Sequence, residues 1–397
     1  MANIAELIGD MPQDAAGNAA CDAAWLTLSN IEKSAFVAQW DDLAANAEEP
    51  NAFYESWYLL PSLRAFGSDV SIFSVHIGGL LVGLLPVQAS SQYGRWPVPH
   101  AQNWRHPNIF LGTPLVRKGN AAAFWQALLA EFDQNAKKSL FLHINGMSTD
   151  GPLAAALEQL SGEQGRRMGL VQEEDRAFLQ SDLSPEEYYT ASMRGKKRKE
   201  LRRQKNRLSE TGNLVFSRGD GSSGLQSWAE EFLALERQGW KGAQGSALDC
   251  ADETRQLFLD ALAGAADRGR LELLDLRLDG KPLAMLANFL SAPGSFSFKT
   301  TFDEEYSRFS PGVLLQIENL ALLERDGTDW CDSCAAEGHP MIDSVWTGRR
   351  CVGRYSIAIG GAVRRAMFGT YLGVELARAR RREKQQAQSD RQTGATK

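Results

Sequence analysis

The sequence predicts an α+β fold of two tandem domains, each a mixed, mainly antiparallel sheet flanked by helices. Three observations predict it. The chain of 397 residues exceeds one ordinary domain and fits two. A hairpin pattern recurs: two apolar runs meet at Gly78-Gly79 within residues 70–87, and two more at Asp279-Gly280 within residues 271–288. Such dipeptides supply the positive φ angles that two-residue hairpin turns require. In both copies the second run reads aliphatic, small, aliphatic, aliphatic, as Val82-Gly-Leu-Leu85 and Leu283-Ala-Met-Leu286. Finally, helical patterns precede each hairpin, and alternating strands and helices follow it, which is a mixed layout.

Residues 1–21, rich in Ala, Asn, Asp and Gly, read as a flexible leader. The first domain is assigned to 22–178. It opens on a helical pattern from Trp25 to Phe66, with aromatics spaced three and four apart from Phe53 onward, the periodicity of a core-facing helix. The second domain is assigned to 179–360, with helices over 185–211, 225–238 and 251–267. The hairpin follows, then a strand at 295–301, a helix at 311–325, a strand at 328–333 and a helix at 341–347. Residues 361–397 read as a basic helical tail.

Hydrophobic residues make up 43% of the chain and charged residues 23%, enough apolar surface for sizeable cores. A net charge of -6 weighs against a dedicated nucleic-acid binder, which would usually be basic. Five cysteines, an odd number irregularly spaced, exclude a secreted disulfide framework. The acidic N-terminus is unlike a signal peptide, and no uncharged apolar run reaches the roughly 18 residues of a spanning helix. These features predict a cytoplasmic protein. Two basic stretches, Arg194–Arg207 and Arg378–Lys384, the latter following apolar Met367, Phe368, Tyr371 and Leu372, are suited to an anionic inner-membrane surface and make peripheral attachment the expectation. A solvated face and a tail docked on its own domain account for the same residues.

The segment Tyr306-Ser-Arg-Phe-Ser-Pro-Gly-Val-Leu-Leu315 follows a strand and opens a helix. Ser310 suits the N-cap and Pro311 the first turn, while Gly312 lets a ligand approach the backbone. The free N–H groups at Gly312 and Val313 suit a phosphate, and Arg308 adds a cation. The longer segment Phe298–Leu315 resembles the signature of the GNAT-like acetyltransferase superfamily that includes the cellulose-biosynthesis acetyltransferases and the Fem aminoacyl transferases. Phe302-Asp303 matches the aromatic-Asp pair that ends the family's strand, and Ser310-Pro311-Gly312 matches the turn that meets the cofactor pyrophosphate. The basic stretch from Met193 to Arg203 and Gly239-Trp-Lys-Gly242 resemble the family as well. The likeness covers about residues 180–350. It implies a tandem GNAT-like fold and an acyl-CoA or acyl-carrier-protein thioester as co-substrate, with no permanently bound cofactor. The pyrophosphate would lie at Ser310–Val313 with Arg308 and Arg198 beside it, and Trp240, Lys241, Lys299, Asp303, Trp346 and Arg349 would line the acceptor pocket.

The family's Tyr-Lys pair is missing after the last strand, so its acceptor chemistry does not carry over. The branch that includes bacterial ceramide synthases, which acylate a long-chain base in sphingolipid metabolism, is the one this chain resembles in outline. The expected reaction is transfer of an acyl group to a small amine or lipid acceptor. A Fem-like transfer from aminoacyl-tRNA and an acetyltransfer in exopolysaccharide or cellulose biosynthesis are the alternatives. An ammonium has no lone pair, and lysine-type amines titrate near 10, so a base must accept a proton at neutral pH. His339, in a Gly-His-Pro turn after a predicted strand, suits that role. Asp332, Glu337 and Asp343 are carboxylates placed to orient or replace it. Cys331, Cys334, His339 and Cys351 are zinc-ligand types, but strand alternation over 329–334 sets Cys331 and Cys334 on opposite faces, so no metal site is predicted. The same alternation places Cys334 with Asp332, the arrangement a cysteine acyl-enzyme would use.

Overall fold

The structure is a computed structural model that describes residues 21–394, with side chains described through 378. The leader thus lies outside the described residues but for Cys21, as do the side chains of the basic run Arg380–Lys384. The first half runs β1 (Cys21–Leu26), α1 (Leu28–Ile31), α2 (Ser34–Ala45), α3 (Ser56–Phe66), β2 (Ser71–Ile77), β3 (Leu80–Ser90), β4 (His100–Asn103), β5 (Leu115–Val116), α4 (Ala121–Gln134), β6 (Phe141–Ser148), α5 (Pro152–Glu163) and β7 (Met168–Leu179). The predicted helical stretch therefore begins with a strand. Trp25 pairs across from Phe73 on β2 and edges against its ring at 5.1 Å, contacts that a helix would forgo.

The second half runs α6 (Pro185–Ser192), α7 (Gly195–Ser209), β8 (Leu214–Gly219), α8 (Leu225–Gln238), α9 (Trp240–Ala243), α10 (Asp252–Ala266), β9 (Leu271–Leu278), β10 (Lys281–Ser291), β11 (Gly294–Phe302), α11 (Pro311–Glu318), β12 (Trp330–Asp332), α12 (Pro340–Asp343), β13 (Gly348–Ala358) and α13 (Ala362–Gly394). The helix predicted over 185–211 breaks at Met193, whose extended backbone turns its side chain into the core at 4% exposure. Ser184 caps α6 reciprocally with Glu187. α7 is two-thirds Lys, Arg, Glu and Gln, good helix formers, and buries only Leu201 and Leu208.

Both hairpins form as the sequence predicts. Gly78 and Gly79 have φ of 58° and 83°, and Asp279 and Gly280 have 50° and 83°. The strands assemble in the order β1-β2-β3-β4-β6-β13-β7-β12-β11-β10-β9-β8, with β5 on β3. Neighbours are antiparallel except β4 with β6 and β11 with β12, so the sheet is mixed and mainly antiparallel. The order is that of a duplication with exchange. The first half supplies β1-β2-β3-β4-β6 and the second β8-β9-β10-β11-β12, each closed by the other's last strand. β13 lies on β6, β7 lies on β12, and the two exchanged strands pair with each other from Gly348–Phe178 to Ile357–Met168. The two predicted sheets are thereby one.

An aromatic core also crosses between the halves. Phe53, Trp57 and Tyr58, buried as their spacing predicts, meet Phe289, Phe296 and Phe298, with Trp57 4.8 Å from Phe289 and Phe53 5.3 Å from Phe296. Beside them Glu55, 2% exposed, accepts from Arg270 and from Ser291 of the second half. α13 docks on its own protein through Phe368 and Leu372, against Phe141, Val171 and Ala358. None of the described helices is long and apolar enough to cross a membrane.

Candidate active site

β11 and β12 are parallel neighbours, and the chain between them makes a turn of 3-10 helix (Glu304–Phe309) and then α11. Asp303 fixes the turn. Its carboxylate accepts from the Glu305 N–H at 3.0 Å and pairs with Lys281 at 2.7 Å. Asp303 is thus a structural cap, 7% exposed, rather than part of an open pocket wall. Ser310 then takes φ 54° and ψ 48°, the left-handed region that a non-glycine residue enters at a cost. It holds the N-cap position, yet its hydroxyl caps nothing, a departure from the sequence expectation. With Pro311 next, the N–H groups of Gly312 and Val313 have neither an intrahelical acceptor nor a capping side chain.

The turn is roofed. A Cβ on Gly312 would lie 2.8 Å from Met341 Sδ and 3.2 Å from the Phe302 ring, so both Pro311 and Gly312 are buried. Met341 belongs to α12, whose N-cap is His339. The His339 segment is therefore folded over the helix start. His339 is half-buried, and its Nδ1 is buried with no hydrogen-bond partner among the described residues. Glu337, two residues earlier, is exposed.

Around this point lie most of the predicted basic residues. Arg308 is exposed and stacks on the Phe309 ring at 4.6 Å. α7, carrying half-buried Arg198, packs against the 304–309 turn. Trp240, 52% exposed, donates its backbone N–H to Glu304 at 2.8 Å. Lys241 is paired with buried Glu236 at 2.6 Å. Arg349 bonds the carbonyls of Trp346 and Gly348 and lies 3.7 Å from Asp343.

Besides Asp303, two assigned residues take other roles. Trp346 is fully buried among the side chains of the second core and lines no open pocket. Asp332 is also fully buried, and its carboxylate faces Arg176 at 3.2 Å, Arg350 at 3.1 Å and the Cys334 N–H at 2.9 Å. It acts as the counter-ion of two arginines, which leaves it unsuited to accept a substrate proton. The cysteine reading changes with it. β12 ends at Asp332, and Cys334 lies beyond it with φ 55°, so strand alternation does not extend that far. Burial holds the Cys334 thiol well above its usual range, protonated and a poor nucleophile. No cluster of metal-ligating groups occurs among the described residues.

Sequence reasoning did not foresee the partner of Lys299. Its ammonium bonds Asn108 Oδ1 of the first half at 2.8 Å and lies over the rings of Phe110 and Phe298. The run Trp104-Arg-His-Pro-Asn108, polar and aromatic between two strands, was the available signal. Burial, and then the charge of Lys241, lower Lys299 to about 8 from 10.5. Below about pH 8 both folded and unfolded chains hold this proton, and the cost of the buried ammonium is fully present. Between 8 and 10.5 the unfolded chain binds more protons than the folded one, so stability rises with pH. Urea midpoints of wild type and Lys299→Met, compared across that window, should show a rise in the wild type that the variant lacks. A wild-type midpoint falling relative to the variant would contradict the assignment.

Comparison with known proteins agrees with this layout. Residues 195–339, from α7 through His339, match the family described as acetyltransferase (GNAT) domain. The structure is similar to the crystal structure of FemX, with a TM-score of 0.55 at 12% identity over 84% of this chain and 96% of that one. It is likewise similar to a conserved protein of unknown function from Bacteroides thetaiotaomicron, with a TM-score of 0.52 at 14% identity over 81% and 97%. At such identities the likeness is one of fold. No curated protein matches the chain.

Proposed function

We infer that this GNAT-type acyltransferase moves an acyl group from acyl-CoA to an amine, with the donor diphosphate at the start of α11. The observation that carries the reading is the uncapped helix start at Ser310–Val313, set between parallel β11 and β12 and flanked by Arg308 and α7. Two free N–H groups and the positive end of a helix are suited to a diphosphate. Met341 must swing aside, which its unbranched side chain permits.

The bond made is amine nitrogen to thioester carbonyl carbon, and the bond broken is carbon to sulfur. The nitrogen must first lose a proton. His339, half-buried with an unpartnered Nδ1 and two residues before the Met341 that roofs the donor turn, accepts it. Attack leaves the nitrogen with one proton too many, and that proton passes to the departing thiolate to give the free thiol. Charge on the carbonyl oxygen calls for backbone donors. His339→Ala should lower turnover by roughly 100- to 10,000-fold while leaving CoA affinity within about twofold. Stopped assays paired with calorimetric CoA binding would test it, and equal losses in both would remove His339 from the chemistry.

The acceptor is an amine, and a long-chain base is the one proposed first. α7 beside the donor turn favours one second reading, transfer from an aminoacyl-tRNA, since a row of cations tracks a phosphate backbone. Incubating the protein with acetyl- to palmitoyl-CoA against long-chain bases, amino sugars and peptide amines, read by mass spectrometry, decides between them. An acylated long-chain base supports the proposal. Absence of any acylated amine, with tight and salt-sensitive tRNA binding, replaces it by the second reading.

A further inference from the structure

A second site lies in the first half, away from α11. On β4, β6, β13 and β7 one face of the sheet is polar where it is covered. His100, Gln102, His143, Asn145 and Arg354 alternate on it, while Ala101, Leu142, Ile144 and Tyr355 on the other face enter the main core. A helix laid on a sheet normally meets apolar side chains. α13 does so at Phe368 and Leu372, but Tyr371, at the edge of that contact, and Glu375, one turn on, line a cavity of about 700 Å³ over the polar stretch.

The floor of this cavity is organised. His143 is 3% exposed and its Nδ1 meets Ser356 Oγ at 2.9 Å. His100 is 2% exposed and its Nδ1 meets the Val98 carbonyl at 3.0 Å. Asn145 donates to Gln102 at 3.3 Å. Burial keeps both imidazoles neutral, with His143 pulled down to about 3. Buried polar groups are costly in a core, and a set of them around a void of ligand size is the mark of a binding pocket. The rim supplies cations and rings. Among the described lining residues Arg95, Arg354 and Arg378 outnumber the one acid, Glu375, which is engaged with Tyr93. Among the described residues Arg354 has one loose ion pair, to Glu174 at 3.5 Å, and it continues into a small neighbouring cavity lined by Glu174, Arg105 and Arg176. Trp96 is 50% exposed beneath Arg378, 5.1 Å from its ring.

We propose that this cavity binds a ring compound carrying a phosphate or carboxylate group. The anion pairs with Arg354 and Arg95, the ring packs on Tyr371 and Trp96, and its polar edge meets Gln102 and Asn145. Inorganic phosphate alone would fill little of the space. The inference is independent of the donor reading, because no residue of α11 or α12 takes part.

The test is calorimetric titration of the full chain, without CoA, using phenyl phosphate, benzoate, phenol and inorganic phosphate. Phenyl phosphate or benzoate should bind with submillimolar Kd, and the better of the two identifies the anion. Phenol and inorganic phosphate should each bind at least about tenfold more weakly, as loss of a charge-assisted bond or of ring contact predicts. Arg354→Gln, at an exposed strand position, and Tyr371→Leu should each weaken the best ligand by about tenfold. Gly312→Val should leave its affinity unchanged. No binding by either ring anion overturns the proposal, as does undiminished binding by Arg354→Gln and Tyr371→Leu. Inorganic phosphate binding as well as phenyl phosphate reduces the site to adventitious ion binding only, and a loss confined to Gly312→Val moves the binding to α11.

Discussion

Asp332→Ala should cost about 3–5 kcal/mol of folding stability. Arg176 and Arg350 are 6% and 7% exposed, and the Asp332 carboxylate is the one acid within ion-pair distance of either among the described residues. Truncation would leave two guanidinium groups buried without a counter-charge, and would also free the Cys334 N–H. The three residues sit on β12, β7 and β13, the strands at which the halves join, so the damage falls on the seam. Asp332→Asn keeps the shape but not the charge and should lose most of the same stability. Equilibrium urea unfolding of both variants checks this. A loss below about 1 kcal/mol would mean that the arginines find water or other acceptors, and that the cluster holds the seam only weakly.

Gly312→Val should abolish CoA-dependent acyl transfer, by roughly 100-fold or more, through loss of donor binding. The branched side chain would enter the space of Met341 Sδ and the Phe302 ring and push α12 away from the helix start. The companion variant Met341→Ala makes room at that point. Gly312→Ala combined with Met341→Ala should melt close to wild type, yet the added methyl still stands where a diphosphate must approach. Calorimetric CoA titration of the folded double variant separates the two effects. Wild-type CoA affinity there would move the donor site elsewhere.

Much of this was legible in the chain because the signals are local. A pair of turn residues between apolar runs dictates a hairpin, and Ser-Pro-Gly after an aromatic-Asp pair dictates where α11 starts. What stayed hidden depends on partners far apart in sequence. Asp332 looks like a candidate base until Arg176 and Arg350 close on it, and Lys299 looks like an open pocket cation until Asn108 from the first half bonds it. β13 escaped notice because Gly348-Arg-Arg-Cys-Val-Gly-Arg354 carries charges and glycines that read as loop. It is a central strand because its neighbours β6 and β7 supply every ladder partner. The break before α7 was masked by strong helix formers on both sides of Met193.

The exchange of β7 and β13 also sets a timetable for biosynthesis. β6 ends at residue 148 and the strand that must lie beside it begins at 348, 200 positions later by subtraction. At about 5–20 residues per second, the ribosome leaves β6 with an open hydrogen-bonding edge for roughly 10–40 seconds. An open edge recruits stray strands, so the nascent first half is a natural client for chaperones until β13 has been made.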